Sequence, residues 1–129
     1  MIELSKEQVK RLYTIIVSTT GGMGGVRDEA ALDSALHASF QTFDNTDLYP
    51  STIAKIARNT HDIVRNHPFV DGNKRIGTYV MLVLLKLNYI NVDFSNEDIA
   101  YIGMNLANGE MSDKQLCDFI LGRVKKSAD

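Results

Sequence analysis

Apolar residues recur with a helical period over nearly the whole chain. Ser5 and Gln8 form a capping box ahead of Val9, Leu12, Tyr13 and Ile16, which predicts a first helix. Asp28 reads as the N-cap of a second helix, with Ala31, Leu32, Ala35, Leu36 and Phe40 on one side. The helical period is lost from 41 to 50. There Thr42, Phe43, Leu48 and Tyr49 flank a polar turn at 44–47, and a short β-hairpin or extended flap is predicted. A third helix starts near Ser51 and turns Ile53, Ile56, Ala57, Ile63 and Val64 inward. It ends at about His67, because Pro68 restricts the residue before it to extended backbone. The segment from 74 to about 89 is apolar on almost every side, as expected of a helix in the middle of a fold. Ser95 caps a fifth helix with Ile99, Ile102 and Leu106, and Gly109 ends it or begins the next turn. Ser112 with Gln115 repeats the capping box before Leu116, Phe119, Ile120 and Val124. Lys125 and Lys126 fall in that last turn, where cations suit the helix dipole. The predicted fold is all-α, a helical bundle around a central buried helix.

The length of 129 residues predicts a single domain, 1–129. A chain that is 44% hydrophobic and 23% charged is globular in composition, which excludes a disordered class. Cys117 is the lone cysteine, so there is no internal disulfide framework and no Cys-based zinc cluster. A net charge of -2 provides no overall basic field for nucleic acid or anionic lipid. The N-terminal MIELSKEQVKRL lacks the apolar stretch of a signal peptide, and the longest apolar run, 79–85, stops at Lys86, too short for a bilayer. The expectation is a soluble cytoplasmic protein with neither nucleic acid nor membrane as a partner.

One segment departs from ordinary helix chemistry: His67-Pro68-Phe69-Val70-Asp71-Gly72-Asn73-Lys74-Arg75, between the third and fourth helices. The N–H groups and the positive dipole end of a helix start make an anion site. Gly72 allows close approach of a phosphate, and Asn73 either caps the helix or holds an oxygen. Lys74 and Arg75 in a first turn oppose the dipole, at about 0.3–1 kcal/mol each when exposed, and a bound polyanion reverses that penalty. Asp71 is a hard oxygen ligand suited to Mg²⁺ that takes its other ligands from phosphates and water. An imidazole changes charge near neutral pH, so His67 is a candidate general base. Taken one at a time, these residues fit a solvated helix–loop–helix connection. Their combination points to phosphoryl or nucleotidyl transfer, because nothing structural explains two bases at that helix start.

HPFVDGNKR resembles the Fic/Doc superfamily motif H-x-F-x-(D/E)-G-N-(G/K)-R, and in particular the Doc (death-on-curing) toxin branch of bacterial toxin–antitoxin modules. The stretches RDEAALDSAL and QTFDNTDLYP resemble the family's second helix and target-binding flap, and ANGEMS before the last helix is also similar. The resemblance implies that His67 is the catalytic base acting on a target hydroxyl and that Phe69 anchors the loop in the core. It further implies that Asp71 is the Mg²⁺ carboxylate, that Gly72 and Asn73 form the anion hole, and that Lys74 and Arg75 bind phosphate and count with His67 as catalytic. Lys74 stands where adenylylating Fic enzymes have a second glycine, and Thr78 where they have a second arginine. Both departures match the Doc branch, whose members resemble kinases that transfer the γ-phosphate of ATP. The implied activity is phosphorylation of a Ser or Thr hydroxyl of a translation factor, with elongation factor Tu as the suggested substrate. The alternatives are AMP transfer by the same fold and a non-catalytic anion-binding module. The inhibitory string (S/T)-x-x-x-(E/D)-G-N does not occur in this sequence, so the resemblance implies restraint by a separate Phd-like antitoxin.

The remaining candidates read as structural. The run from Gly21 to Gly25 is similar to a phosphate loop but follows a helix and lacks the trailing Lys-Ser/Thr, so it reads as a flexible connector. His37 and His61 lack the spacing of a metal pair, Cys117 reads as a buried inert thiol, and the five methionines read as core filler. Arg65 reads as an exposed helix-end arginine, although Doc-type toxins have a similar arginine near the site.

Overall fold

Among residues 1–20 and 24–125, which the computed structural model describes, lie six α-helices and one small hairpin. The helices are α1 (Lys6–Thr20), α2 (Glu29–His37), α3 (Thr52–Asn66), α4 (Asn73–Leu87), α5 (Asn96–Ala107) and α6 (Asp113–Leu121). The predicted connector falls partly on Gly21, Gly22 and Met23, which lie outside the described residues, as does Lys126. Five of the predicted starts are made by the expected side chains. Ser5 and Gln8 bond each other's backbone N–H at α1, and Ser112 and Gln115 do the same at α6. The Ala31 N–H donates to Asp28 at α2, and the Ala54 N–H to Ser51 at α3. At α5 the box is Ser95 with Asp98.

The centre of the bundle is a pair of helices. Helix α4 is deeply buried along Ile76, Val80, Met81, Leu84 and Leu85, as expected, but Tyr79 and Leu87 are exposed. Helix α3 is the other central element, packed against α2, α4, α5 and α6. Its sequence conceals this because Lys55, Thr60 and Asp62 are buried as well. Each is paired: Lys55 Nζ donates to Asp47 and to the Tyr49 carbonyl, Thr60 to the Ile56 carbonyl, and Arg58 Nε to Asp62. Pairing is what allows polar groups inside a core.

The two central helices touch backbone to side chain at Gly77. A Cβ there would lie 2.5 Å from Val64 Cγ2. Gly77→Ala is therefore expected to destabilise the fold by about 1–3 kcal/mol, the range for overpacking a core. A thermal melt with an unchanged midpoint would show that α3 and α4 separate freely.

Several boundaries differ from the periodic reading. Helix α2 ends at His37, and Phe40 closes a 3-10 turn (Ala38–Phe40) with its ring part-exposed. The hairpin pairs β1 (Thr42–Phe43) with β2 (Thr46–Asp47). Its turn is the two residues Asp44 and Asn45, both left-handed at φ 53° and 61°, as a type I′ turn demands. Helix α4 stops at Leu87, where Tyr89 at φ 59° lets the Ile90 N–H reach back to the Leu85 carbonyl. Helix α6 stops at Leu121. Val124 pairs with Val92 as a β-bridge, and the Lys125 N–H donates to the Asn91 carbonyl, so neither belongs to a last helical turn. Of the described methionines only Met81 and Met111 are core; Met1 and Met104 are exposed.

Candidate functional site

The chain reverses direction between α3 and α4 in six residues, and two left-handed positions make the turn. His67 sits at φ 49°, ψ 55° as the C-cap of α3, and Gly72 sits at φ 79° as the N-cap of α4. The extended backbone expected at His67 from the proline rule does not form: Pro68 excludes the right-handed helix, and the chain takes the left-handed basin instead. Between the caps, Phe69 is only 1% exposed and stacks on Tyr13 of α1 with ring centroids 3.9 Å apart. The Asn73 amide clasps the same residue: the Phe69 N–H donates to Asn73 Oδ1 and Asn73 Nδ2 donates to the Phe69 carbonyl, each at 3.0 Å. Asn73 thus does not cap α4 through its side chain, and it fixes the shape of the loop.

Carbonyls along this loop are almost all committed elsewhere. Arg27 donates from Nη2 to the Asn66 carbonyl at 3.2 Å and from Nε to the His67 carbonyl at 2.8 Å. The Arg27 and Asp28 N–H groups both donate to the Pro68 carbonyl, and Tyr13 Oη donates to the Asp71 carbonyl at 2.7 Å. The segment after the glycine connector also lies antiparallel to the loop, with the Val70 N–H donating to the Gly25 carbonyl and a bridge between Val26 and Phe69. In α4 the Ile76 N–H bonds the Gly72 carbonyl, while the N–H groups of Asn73 and Lys74, one turn earlier, have no intrahelical acceptor. Negative backbone ends are thus tied back, and positive ones are left at the helix start. A loop arranged in this way can receive an anion.

A cavity of about 570 Å³ opens at this point. Its lining brings together His67, Asp71, Gly72, Asn73, Lys74 and Arg75, every predicted polar residue of the motif, while Phe69 stays in the core beneath. Thr78 lies one turn further along α4 and also lines the cavity; its hydroxyl donates back to the Lys74 and Arg75 carbonyls. The opposite wall is α5, through Ile99, Ala100, Gly103, Met104 and Ala107, which the motif does not reveal. The small residues Ala100, Gly103 and Ala107, three and four apart, are the sequence signal that could have placed that wall. Tyr13 and Arg27 were missed as well, because each reaches the loop from 58 and 40 residues away respectively.

Asp71 fits a divalent cation shared with a ligand better than a resident one. The Gly72 N–H donates to its Oδ1 at 2.8 Å, and its other oxygen has no partner among the described residues. No group of three His, Cys, Asp or Glu that could hold a metal exists among the described residues. One carboxylate suits Mg²⁺ when phosphates and water complete the shell.

The other candidates fall elsewhere. Arg65 donates to the Ala107 carbonyl at 2.8 Å and packs over Gly109, so it ties the end of α5 to α3 and does not line the cavity. The ring nitrogens of His37 and His61 bond the Asp33 carbonyl and Asp62. Cys117 is half-buried by a smaller cavity, where burial pushes its thiol pKa up, as an unreactive thiol requires. Asp98 does more than cap α5: bonds from Arg123, then from the Ser95 N–H, hold its carboxyl below the usual range. No hairpin residue lines the site cavity. The hairpin joins the N-terminal end of α3, and 15 helical residues put that end roughly 20 Å from His67.

The chain has likenesses among known proteins. The family model described as "Fic/DOC family" matches residues 3–85. The chain is 35% identical over 72 residues to "Toxin Doc" of Mycolicibacterium smegmatis, a match covering 56% of this chain and 55% of that protein. It is 27% identical over 132 aligned positions to "Protein kinase doc" of Escherichia phage P1, covering the whole of both chains. No helix among the described residues is long and apolar enough to cross a membrane.

Proposed function

Because the chain belongs to the Fic/DOC family, we propose that it is a Doc-type toxin kinase. It transfers the γ-phosphate of ATP to a Ser or Thr hydroxyl of a translation factor, with elongation factor Tu the suggested acceptor, and so stops translation and growth. The observation that carries this reading is the single cavity holding His67, Asp71 and the cation-bearing start of α4. The relative named as a protein kinase, aligned along both full chains, supports the choice of reaction.

In this mechanism His67 takes the proton of the acceptor hydroxyl as its oxygen bonds the γ-phosphorus. The bond from that phosphorus to the β–γ bridging oxygen breaks, and ADP leaves. Backbone N–H groups at Asn73 and Lys74 hold phosphate oxygens, Gly72 admits them closely, and the Lys74 and Arg75 side chains balance their charge. The Asp71 oxygen without a partner among the described residues would hold Mg²⁺, and the bound ion would supply charge neutralisation to the phosphates. Thr78 is short, and its hydroxyl is turned back on the helix, so no second guanidinium stands there to clamp the phosphates in the adenylylating sense. Restraint comes from a separate Phd-like antitoxin, and the place of action is the cytoplasm, where ATP and translation factors meet.

The deciding experiment incubates the protein with Mg²⁺, purified elongation factor Tu, and ATP labelled at the α or the γ phosphate. Label from the γ position alone, with ADP released, is expected. Label from the α position alone would replace the kinase reading with AMP transfer. Label from neither position, on purified factor or in bacterial extract, would leave only anion binding.

A further inference from the structure

We infer that Arg27 is a positioning residue for His67: its guanidinium holds the left-handed backbone that aims the imidazole into the cavity. This rests on the reading of His67 as the base. Pro68 removes the right-handed basin from His67, and for a residue with a Cβ the default that remains is extended. The observed φ of 49° and ψ of 55° are therefore selected by something outside the dipeptide.

The selection comes from one side chain. Arg27 Nε and Nη2 donate to the His67 and Asn66 carbonyls, two of the carbonyls at the end of α3 that have no intrahelical donor. A planar guanidinium bonds two acceptors only when they face it together, so this fork is satisfied in one backbone geometry. A cation at a helix C-terminus is also favoured by the dipole. The backbone of Arg27–Asp28 holds the next carbonyl, because the Arg27 and Asp28 N–H groups donate to the Pro68 carbonyl at 2.8 and 3.1 Å. Arg27–Asp28 is itself anchored, since Asp28 is the N-cap of α2. Arg27 is absent from the cavity lining, so it acts through the loop and does not touch substrate. A misplacement of about 1 Å in a reacting group is enough to slow transfer on the order of 100-fold.

The test compares wild type with Arg27→Gln and Arg27→Lys, and uses Ile120→Val as a core variant remote from the site that lowers stability alone. Two readouts are needed. The first is the ¹³Cα and ¹³Cβ shifts of His67, which report its backbone basin without any substrate. In Arg27→Gln these are expected to move from left-handed toward extended values, in Arg27→Lys part of the way, and in Ile120→Val not at all. The second is transfer of γ-label to purified elongation factor Tu. In Arg27→Gln kcat is expected to fall about 10- to 100-fold with the KM for ATP unchanged, because the phosphates are held at the other end of the loop. Arg27→Lys is expected to fall between Arg27→Gln and wild type. If His67 keeps its left-handed shifts in Arg27→Gln, or kcat falls no further than in Ile120→Val, the positioning role is wrong. Wild type that transfers no label overturns the kinase reading instead, and the His67 shifts still decide the role of Arg27.

Discussion

Replacing His67 is expected to lower phosphoryl transfer by about 10²–10⁴-fold, the range for loss of a positioned general base. Two substitutions separate chemistry from backbone. His67→Ala removes the imidazole and weakens the preference for the left-handed basin. His67→Asn removes the base while keeping a residue that adopts that basin readily. The side chain is exposed, so both variants are expected to keep native circular dichroism and a near-native thermal midpoint. In cells the wild type, induced without an antitoxin, is expected to arrest growth, and neither variant is. A His67→Asn protein that transfers phosphate at the wild-type rate would assign the base elsewhere. Since both variants lose the proton acceptor, their agreement in rate would show that the loss is chemical.

A second large effect is expected in the core beneath the site. Phe69→Ala is expected to cost about 3–5 kcal/mol, the range for emptying a buried aromatic position. Domains have total stabilities of about 5–15 kcal/mol, so this is a large fraction. The ring is 1% exposed and stacked at 3.9 Å on Tyr13, so its removal also strands a neighbour. Phe69→Leu keeps most of the volume and is expected to lose less, since volume-conserving exchanges are tolerated best. Urea unfolding of both variants measures the difference. A Phe69→Ala midpoint within error of the wild type would mean that the loop is held by its hydrogen bonds alone.

What the sequence made legible was local. Capping residues stand within four positions of the helices they start, and the motif is nine contiguous residues, so periodicity and composition reach both. What it concealed was long-range. Tyr13 looks like any core position of α1, yet its hydroxyl holds the Asp71 carbonyl from 58 residues away. Arg27 looks like a solvated charge before a helix cap. The central place of α3 was hidden because its buried Lys55 and Asp62 are paired in space with Asp47, Tyr49 and Arg58. His67 shows the limit of a local rule: Pro68 states which basin is closed, and the choice among the rest belongs to tertiary contacts. The hairpin turn at Asp44 and Asn45 lacks the glycine that usually marks its type, so only its general place was readable.

The contact at Gly77 acts as a fixed gauge for the spacing between His67 and the start of α4. Val64, three residues before His67, lies directly over the α4 backbone two residues after Arg75, with no side chain on the α4 side at the contact. Spacing that depends on interposed side chains can change when a rotamer changes, whereas a methyl resting on a Cα offers no such adjustment. In the proposed mechanism His67 and the start of α4 are therefore held at one separation, and an acceptor must bring its hydroxyl to that separation itself. Discrimination between acceptors then falls on turnover more than on affinity: a poorly shaped loop can dock and still not react.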